Sequence, residues 1–401
     1  MSLVRDGLKK YKKHLIYAVL ALLITAFPLF KFSQYISAFF LFDINYEAGE
    51  EVNVDYPLGV EIFDNFDNEN KAKVFSNLII DEINNAKKEI YIAMFSFNII
   101  EIRDALGQAA DRGLKVYIYS QYAKIDSFEV FIAPIKDKIS VTYTAKYEDA
   151  KDFYNMHHKF MIVDPGEPDQ VLLTGPWNWS YMQEDLDPNI MLRTHDKEII
   201  KSFMDEVERI SRGFSGYNKF RDLLYRPFDK IINYPSGEKA EVWFSPGRNE
   251  NSLQMRAIEL IRSAKKSIDL GMTLLGSYDI VNEILKKAEE GIDIRIIVNL
   301  NTRDDPESVV PYLEDVIKEK SYPNLKLYYG GTEATLENPE FSIFHHHNLI
   351  IDDEIAFIST ANWTGTAFFF SDENTIIFHS KTVAENLKQI FDKIVSNIEN
   401  S

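Results

Sequence analysis

The chain has no cysteine. Disulfides, thiol nucleophiles and thiolate metal centres are therefore excluded, and the same absence leaves the redox compartment open. Positive charge is also short, with 44 Lys and Arg against 62 Asp and Glu and a formal net charge of -18. The shortage is uneven. Residues 1–45 carry Arg5, Lys9, Lys10, Lys12, Lys13 and Lys31 against Asp6 and Asp43, a net +4 that leaves -22 for the remainder. So acidic a surface repels polyanions at long range and weighs against a broad nucleic-acid-binding face, although a local basic groove survives such an average.

A long apolar run occurs at residues 14–30, between Lys13 and Lys31, followed by the aromatic-rich Tyr35–Phe42. Its length is at the short end for a bilayer span, with lysines placed to snorkel and aromatics suited to the interface. Residues 14–42 therefore read as a transmembrane anchor and residues 1–13 as a basic cytoplasmic tail, with everything beyond on the extracytoplasmic side. A cleaved leader shares the basic start and apolar middle, but no small-residue cleavage site follows closely.

The rest of the chain has ample apolar residues, 45% hydrophobic and 13% aromatic overall, so packed cores are expected rather than disorder. Residues 43–72 are acidic and turn-rich, with Pro57 and Gly59, and read as a linker. Beyond them a helix from Val74 to Ala86, a strand Ile90–Phe97, a helix Ile102–Arg112 stopped by Gly113 and a strand Val116–Ser120 make a β-α-β unit. The same signals return at Ile258–Ala264, Ile268–Leu274, Val281–Glu290 with Gly291, and Ile294–Leu300. Ala86 to Ala264 and Gly113 to Gly291 share one offset, so the unit is duplicated. Two α/β domains follow, 73–235 and 236–401, each expected to be a mostly parallel sheet flanked by helices, with sites at strand ends.

Polar residues repeat as well. His157-His158-Lys159-Phe160-Met161-Ile162-Val163-Asp164 returns as His345-His346-His347-Asn348-Leu349-Ile350-Ile351-Asp352. Each block is followed by an Asn-Trp-hydroxyl triplet, Asn178-Trp179-Ser180 and Asn362-Trp363-Thr364. A hydrophobic core gains nothing from a repeated His, Asp and Asn, because buried polar groups cost free energy unless paired. The repeat therefore marks a site. At the period of a strand, His157 and Lys159 share a face and His158 turns away, and the same holds for His345, His347 and His346. One imidazole cannot be both nucleophile and proton donor in one step, whereas two facing blocks divide those roles. Lys159, Asn178, Asn362 and His347 suit phosphate oxygens, and Asp164 and Asp352 are expected to orient an imidazole. The three consecutive histidines at 345–347 also match zinc or copper chemistry, which stands beside the first reading. Trp177, Trp179 and Trp363 read as packing aromatics, and the Phe368–Phe370 run fits either a core or a lipid-facing lip.

These blocks resemble the phospholipase D superfamily, whose signature is His-x-Lys-x4-Asp followed by Gly-Ser-x-Asn. His157, Lys159, Asp164, Gly175 and Asn178 stand at its positions, with Pro176 in place of Ser. The second block keeps His345, Asp352, Thr360 and Asn362, with His347 for Lys and Ser359 for Gly. Glu373-Asn374 resembles the family's acidic-Asn pair and adds Glu373 to the phosphate-binding set, where the first half has Pro188-Asn189. The resemblance implies a pseudo-twofold pair of domains with one site between them, a phosphohistidine intermediate with His157 as nucleophile and His345 as acid, and no metal or cofactor. It implies a phosphodiesterase acting on phospholipid headgroups at the membrane. The alternatives are a membrane-tethered nuclease and a weakened phosphate-binding relic.

Overall fold

A computed structural model describes residues 50–66, 73–144, 155–216, 229–247, 252–332 and 342–400. The expected tail and anchor, 1–42, lie outside the described residues, among which no helix is long and apolar enough to cross a membrane. The described residues belong to one compact unit, Glu47–Ser401.

The chain opens with strands β1 (Glu50–Asn53) and β2 (Val60–Asp64), then helix α1 (Val74–Asn85) and β3 (Glu89–Met94). Next come α2 (Ile100–Asp111), β4 (Lys115–Gln121), α3 (Ile125–Ile132) and β5 (Ser140–Thr144). The first motif occupies β6 (Lys159–Val163), followed by β7 (Val171–Thr174), α4 (Tyr181–Asp185), β8 (Ile190–Thr194) and α5 (Lys197–Ser211). The second half runs β9 (Lys230–Asn233), β10 (Lys239–Ser245), α6 (Ser252–Ser263), β11 (Ser267–Met272), α7 (Tyr278–Glu289) and β12 (Asp293–Asn299). It continues with α8 (Val310–Lys320), β13 (Leu325–Thr332), β14 (Ser342–Ile343), β15 (His347–Ile351), β16 (Ile355–Ser359), α9 (Gly365–Phe369), β17 (Glu373–His379) and α10 (Lys381–Asn400).

The duplicated turns have a local cause. α2 and α7 each give way to a glycine with positive φ, Gly113 at 95° and Gly291 at 86°, conformations a side chain would strain. Helix α1 buries Phe75, Ile79 and Ile83 at fourfold spacing against the first sheet.

Among the described residues the sheets are ordered β2-β8-β7-β6-β3-β4-β5 and β1-β9-β10-β17-β16-β15-β11-β12-β13-β14. The expectation of mostly parallel sheets is corrected. Only β3-β4-β5, β11-β12-β13 and the β1-β9 pair are parallel; the other pairs are antiparallel. After each β-α-β unit the chain returns through short connections, which only antiparallel pairing allows. The expected linker is corrected too, because β1 and β2 lie within it and extend the second and first sheets respectively. Likewise Lys230–Asn233, expected in the first domain, pairs with β10 of the second sheet.

Three cores result. One belongs to the first half, one to the second, and the third is shared, with Phe160, Ile162 and Leu172 from the first sheet and Ile350, Ile358 and Ile376 from the second. Phe203 of α5 and Leu387, Phe391 and Ile394 of α10 fill this shared core. Each fully buried large apolar side chain contributes about 1.5–3 kcal/mol. The two halves are thereby held as one body with their motif strands in fixed relation.

Candidate active site

β6 runs antiparallel to β3 with Lys159 opposite Met94, and β15 runs antiparallel to β11 with His347 opposite Met272. Each motif histidine therefore emerges beside the carboxyl end of a parallel strand, where α/β folds place their sites. The backbone then crosses between halves. The His157 N–H donates to the Asp372 carbonyl at 2.9 Å, and the His345 N–H donates to the Pro188 carbonyl at 3.0 Å.

The side chains cross in the same way. His157 Nδ1 lies 2.8 and 3.0 Å from the two carboxylate oxygens of Glu373, and His345 Nδ1 lies 3.0 Å from Asn189 Oδ1. Each imidazole is held by the other half. The His345 and His347 rings lie 5.1 Å apart between centroids, tilted by 43°, and the charge of Lys159 and of His157 is felt at both. Both motifs thus contribute to one cluster.

Burial dominates its electrostatics. Lys159, 1% exposed, donates to the His157 carbonyl at 2.8 Å and lies over the Phe95 ring. Its pKa falls to about 7 through desolvation, against the opposing pull of Glu373. Glu373 is pushed up to about 8 by burial, with Lys159 and a 2.6 Å hydrogen bond from Thr360 Oγ1 opposing. Burial, and then Lys159, hold His157 well below its ordinary value. Glu373 therefore tends to keep its proton beside a neutral His157 ring, and His157 offers Nε2 as a lone pair once Glu373 is ionised and the ring's own proton sits on Nδ1, facing the carboxylate.

His347 is not the cation expected. Burial, then Lys159 and His157, push its pKa well below 6.5, its Nδ1 is 2.9 Å from the Thr360 carbonyl, and its Nε2 is buried without a partner. A neutral ring donating at Nδ1 leaves Nε2 an acceptor.

Three further expectations are corrected. Asp164 orients no imidazole, because its carboxylate accepts the backbone N–H groups of Lys87, Lys88 and Glu89 at 2.6, 2.8 and 2.9 Å. Asp352 does the same for Lys265, Lys266 and Ser267. Glu373 is a histidine partner rather than a phosphate ligand; a carboxylate facing phosphate would repel it. Asn178 and Asn362 follow β7 and β16, each with a buried Oδ1 that has no partner. Trp177, Trp179 and Trp363 are buried in the cores, as is Phe368.

The sequence reading missed Asn189. It aligned Pro188-Asn189 with Glu373-Asn374, whereas the crossed hydrogen bonds set Asn189 opposite Glu373 and Pro188 opposite Asp372. The missed signal was position, both residues standing at the entry to the last strand of their half. A buried network behind the site was missed as well. His158 Nε2 is 2.8 Å from Glu206, and Arg209 pairs with Glu206 and, at 2.7 Å, with Asp372, all completely buried. His158, Glu206 and Asp372 have donor types for a metal, but the Arg209 guanidinium already bridges the two carboxylates. The 345–347 run does not converge on a metal either, since His346 turns away to stack on Phe344 at 4.7 Å.

Two half-sites, each with a histidine anchored by the other half, define a duplicated α/β fold with one shared polar cluster. Residues 79–211 and 257–395 match the family described as cardiolipin synthase, PLD-like domain, and the chain belongs to that family within the phospholipase D superfamily. Cardiolipin synthase 1 of Bacillus cereus is 25% identical over 349 residues, covering 81% of this chain and 65% of that protein. The mitochondrial cardiolipin hydrolase of Xenopus tropicalis is 25% identical over 125 residues, 31% of this chain and 55% of that protein. Phosphatidylserine synthase of Haemophilus influenzae Rd KW20 has a similar fold, with a TM-score of 0.61, 13% identity and 85% of each chain covered.

Proposed function

We propose that the chain is a phosphodiesterase that transfers or hydrolyses phospholipid headgroups through a phosphohistidine at His157. The observation that carries this reading is the pair of imidazoles tied at Nδ1 across the two halves, which leaves Nε2 of each ring for one shared phosphodiester. With the phosphodiester's negative charge favouring the imidazolium form of His345, protonated from solvent at Nε2, His157 Nε2 attacks phosphorus while the bond to the leaving oxygen breaks, and that oxygen takes the Nε2 proton of His345. Neutral His345 then takes a proton from water or an alcohol as its oxygen attacks phosphorus. The phosphorus–nitrogen bond breaks and its electron pair returns to His157. Lys159, Asn178 and Asn362 face the non-bridging oxygens, and the phosphate charge restores the Lys159 ammonium that burial disfavours.

Similarity to proteins named as cardiolipin synthase and cardiolipin hydrolase favours a phospholipid substrate. An anchor at residues 14–42 keeps the site at the bilayer, with the two halves extracytoplasmic. The test is the full chain in detergent with vesicles of phosphatidylglycerol carrying ³²P, with and without an added alcohol, and separately with ³²P single-stranded DNA. Lipid turnover with alkali-stable, acid-labile label on the wild type, lost in His157→Asn, is expected. Cleavage of DNA but not of lipid makes it a nuclease, and turnover of neither makes it a phosphate-binding relic.

A further inference from the structure

The two imidazoles occupy equivalent places but have unlike anchors. Glu373 is a carboxylate held by Thr360 Oγ1 at 2.6 Å, and it accompanies His157. Asn189 is an amide, completely buried, whose backbone N–H donates to Asn65 Oδ1 at 2.8 Å and whose Nδ2 donates to the Asp187 carbonyl at 3.3 Å. That second bond fixes the orientation of the amide and turns Oδ1 to the His345 ring at 3.0 Å. An amide oxygen only accepts, so Nδ1 of His345 must carry the proton. The neutral ring then presents the Nε2 lone pair. Position 176, where the second half has Thr360, is a proline with no hydroxyl to give, so the first half is built without the acid and without its support.

We propose that Asn189 is the positioning residue of His345, and that its being an amide reserves His345 for proton transfer and leaves the covalent step to His157. The proposal rests on the phosphohistidine reading. A phosphorylated imidazole held at Nδ1–H is formally cationic on the ring, and a buried cation needs a counter-charge. At His157 the carboxylate of Glu373 supplies it. The charges that act most on His345 are those of His347, Lys159, His157 and His346, none of them anionic, and the carboxyl group of Asp187 on the segment of Asn189 accepts the Ile343 N–H at 2.7 Å and is pushed up to about 7 by burial. Phosphorylation there would set a cation among bases and a lysine with only an amide dipole to answer it. For proton transfer the same lack is useful. An imidazolium without a carboxylate gives up its proton readily, and an Nδ1–H tautomer is ready to take one back at Nε2.

The experiment uses the full chain labelled with ¹⁵N-histidine, with the His345 ring assigned by the signals lost in His345→Gln. In the wild type the neutral His345 ring should carry its proton on Nδ1, and a proton on Nε2 overturns the proposal. In Asn189→Asp the new carboxylate should raise the His345 titration by about one to three pH units and move the corresponding limb of kcat/KM with it. An unchanged titration in a folded variant overturns it. Should that variant not fold, Asn189→Leu gives the second measurement: the proton should redistribute to Nε2, and an undisturbed tautomer overturns the proposal. With active enzyme, alkali-stable ³²P on His345 rather than His157 overturns it as well. These NMR outcomes do not depend on turnover, so an inactive wild type defeats the proposed function without deciding this inference.

Discussion

Asp164 and Asp352 adopt φ of 48° and 56°, a left-handed conformation that L residues rarely take and that Asp tolerates through its local hydrogen bonds. Each carboxylate closes off three successive backbone N–H groups at the start of the neighbouring parallel strand, β3 or β11. Asp164→Ala should therefore cost about 2–4 kcal/mol in urea unfolding, and Asp164→Asn less, because one amide oxygen still accepts. The pH profile of kcat/KM should not move; a shifted profile returns Asp164 to the chemistry. His347 yields a different expectation from the one its type suggests. An unperturbed histidine would titrate near pH 6.5, but burial beside Lys159 and His157 keeps this ring neutral in the empty site. The kcat/KM profiles of wild type and His347→Lys should run parallel between about pH 6 and 8. A limb present in wild type and absent from His347→Lys would restore His347 as a titrating cation.

At the scale of elements, the sequence was most legible where chemistry and periodicity coincided. β6 and β15 could be read from their two-residue period, and just ahead of them His158 and His346 turn to buried partners, Glu206 and Phe344. The antiparallel return through β7 and β8 was less visible. Its hairpin turn is made by Asp164 and Gly166, and Asp164 had been assigned to the site. β1 and β2 escaped notice because four or five residues with acidic side chains carry no recognisable alternation, and their pairing is decided by strands far along the chain. The α5 network was hidden for another reason. Glu206 and Arg209, spaced i and i+3, look in sequence like an ordinary solvated pair, and only tertiary burial makes them a clamp between His158 and Asp372. Arg209→Met should destabilise by about 3–5 kcal/mol, since it strands Glu206 and Asp372 without their guanidinium. A loss below about 1 kcal/mol, the range of an exposed pair, would show that the clamp is not buried in solution.

Over the whole molecule these groups make stability depend on pH, and the sign follows from which state binds the extra protons. His157, His345 and His347 are held well below 6.5 and His346 is pulled down to about 3, in every case first by burial. Below about pH 6.5 the unfolded chain takes up protons on these four rings that the folded chain refuses, so stability falls as pH falls. Glu373 acts oppositely. Raised to about 8, it holds a proton in the folded state that the unfolded state releases above about 4.5, so its contribution is fully present at low pH and is lost as pH rises through 8. Lys159, lowered to about 7, again favours the folded state at higher pH, with its penalty easing between about 7 and 10.5. Between about pH 5 and 6 the histidines outnumber Glu373, and the free energy of unfolding should rise with pH by at most about 4 kcal/mol per unit. Above pH 7 Glu373 and Lys159 oppose each other and the curve should flatten. His346 separates fold from site in this measurement, because it stacks on Phe344 and makes none of the cross-half hydrogen bonds that hold His157 and His345. His346→Phe should reduce the acid slope by about 1.4 kcal/mol per pH unit and leave the pH profile of turnover in place. Urea unfolding at pH 5, 6 and 7 on both proteins decides it: equal slopes would mean that His346 is protonated in the folded chain and has found a partner.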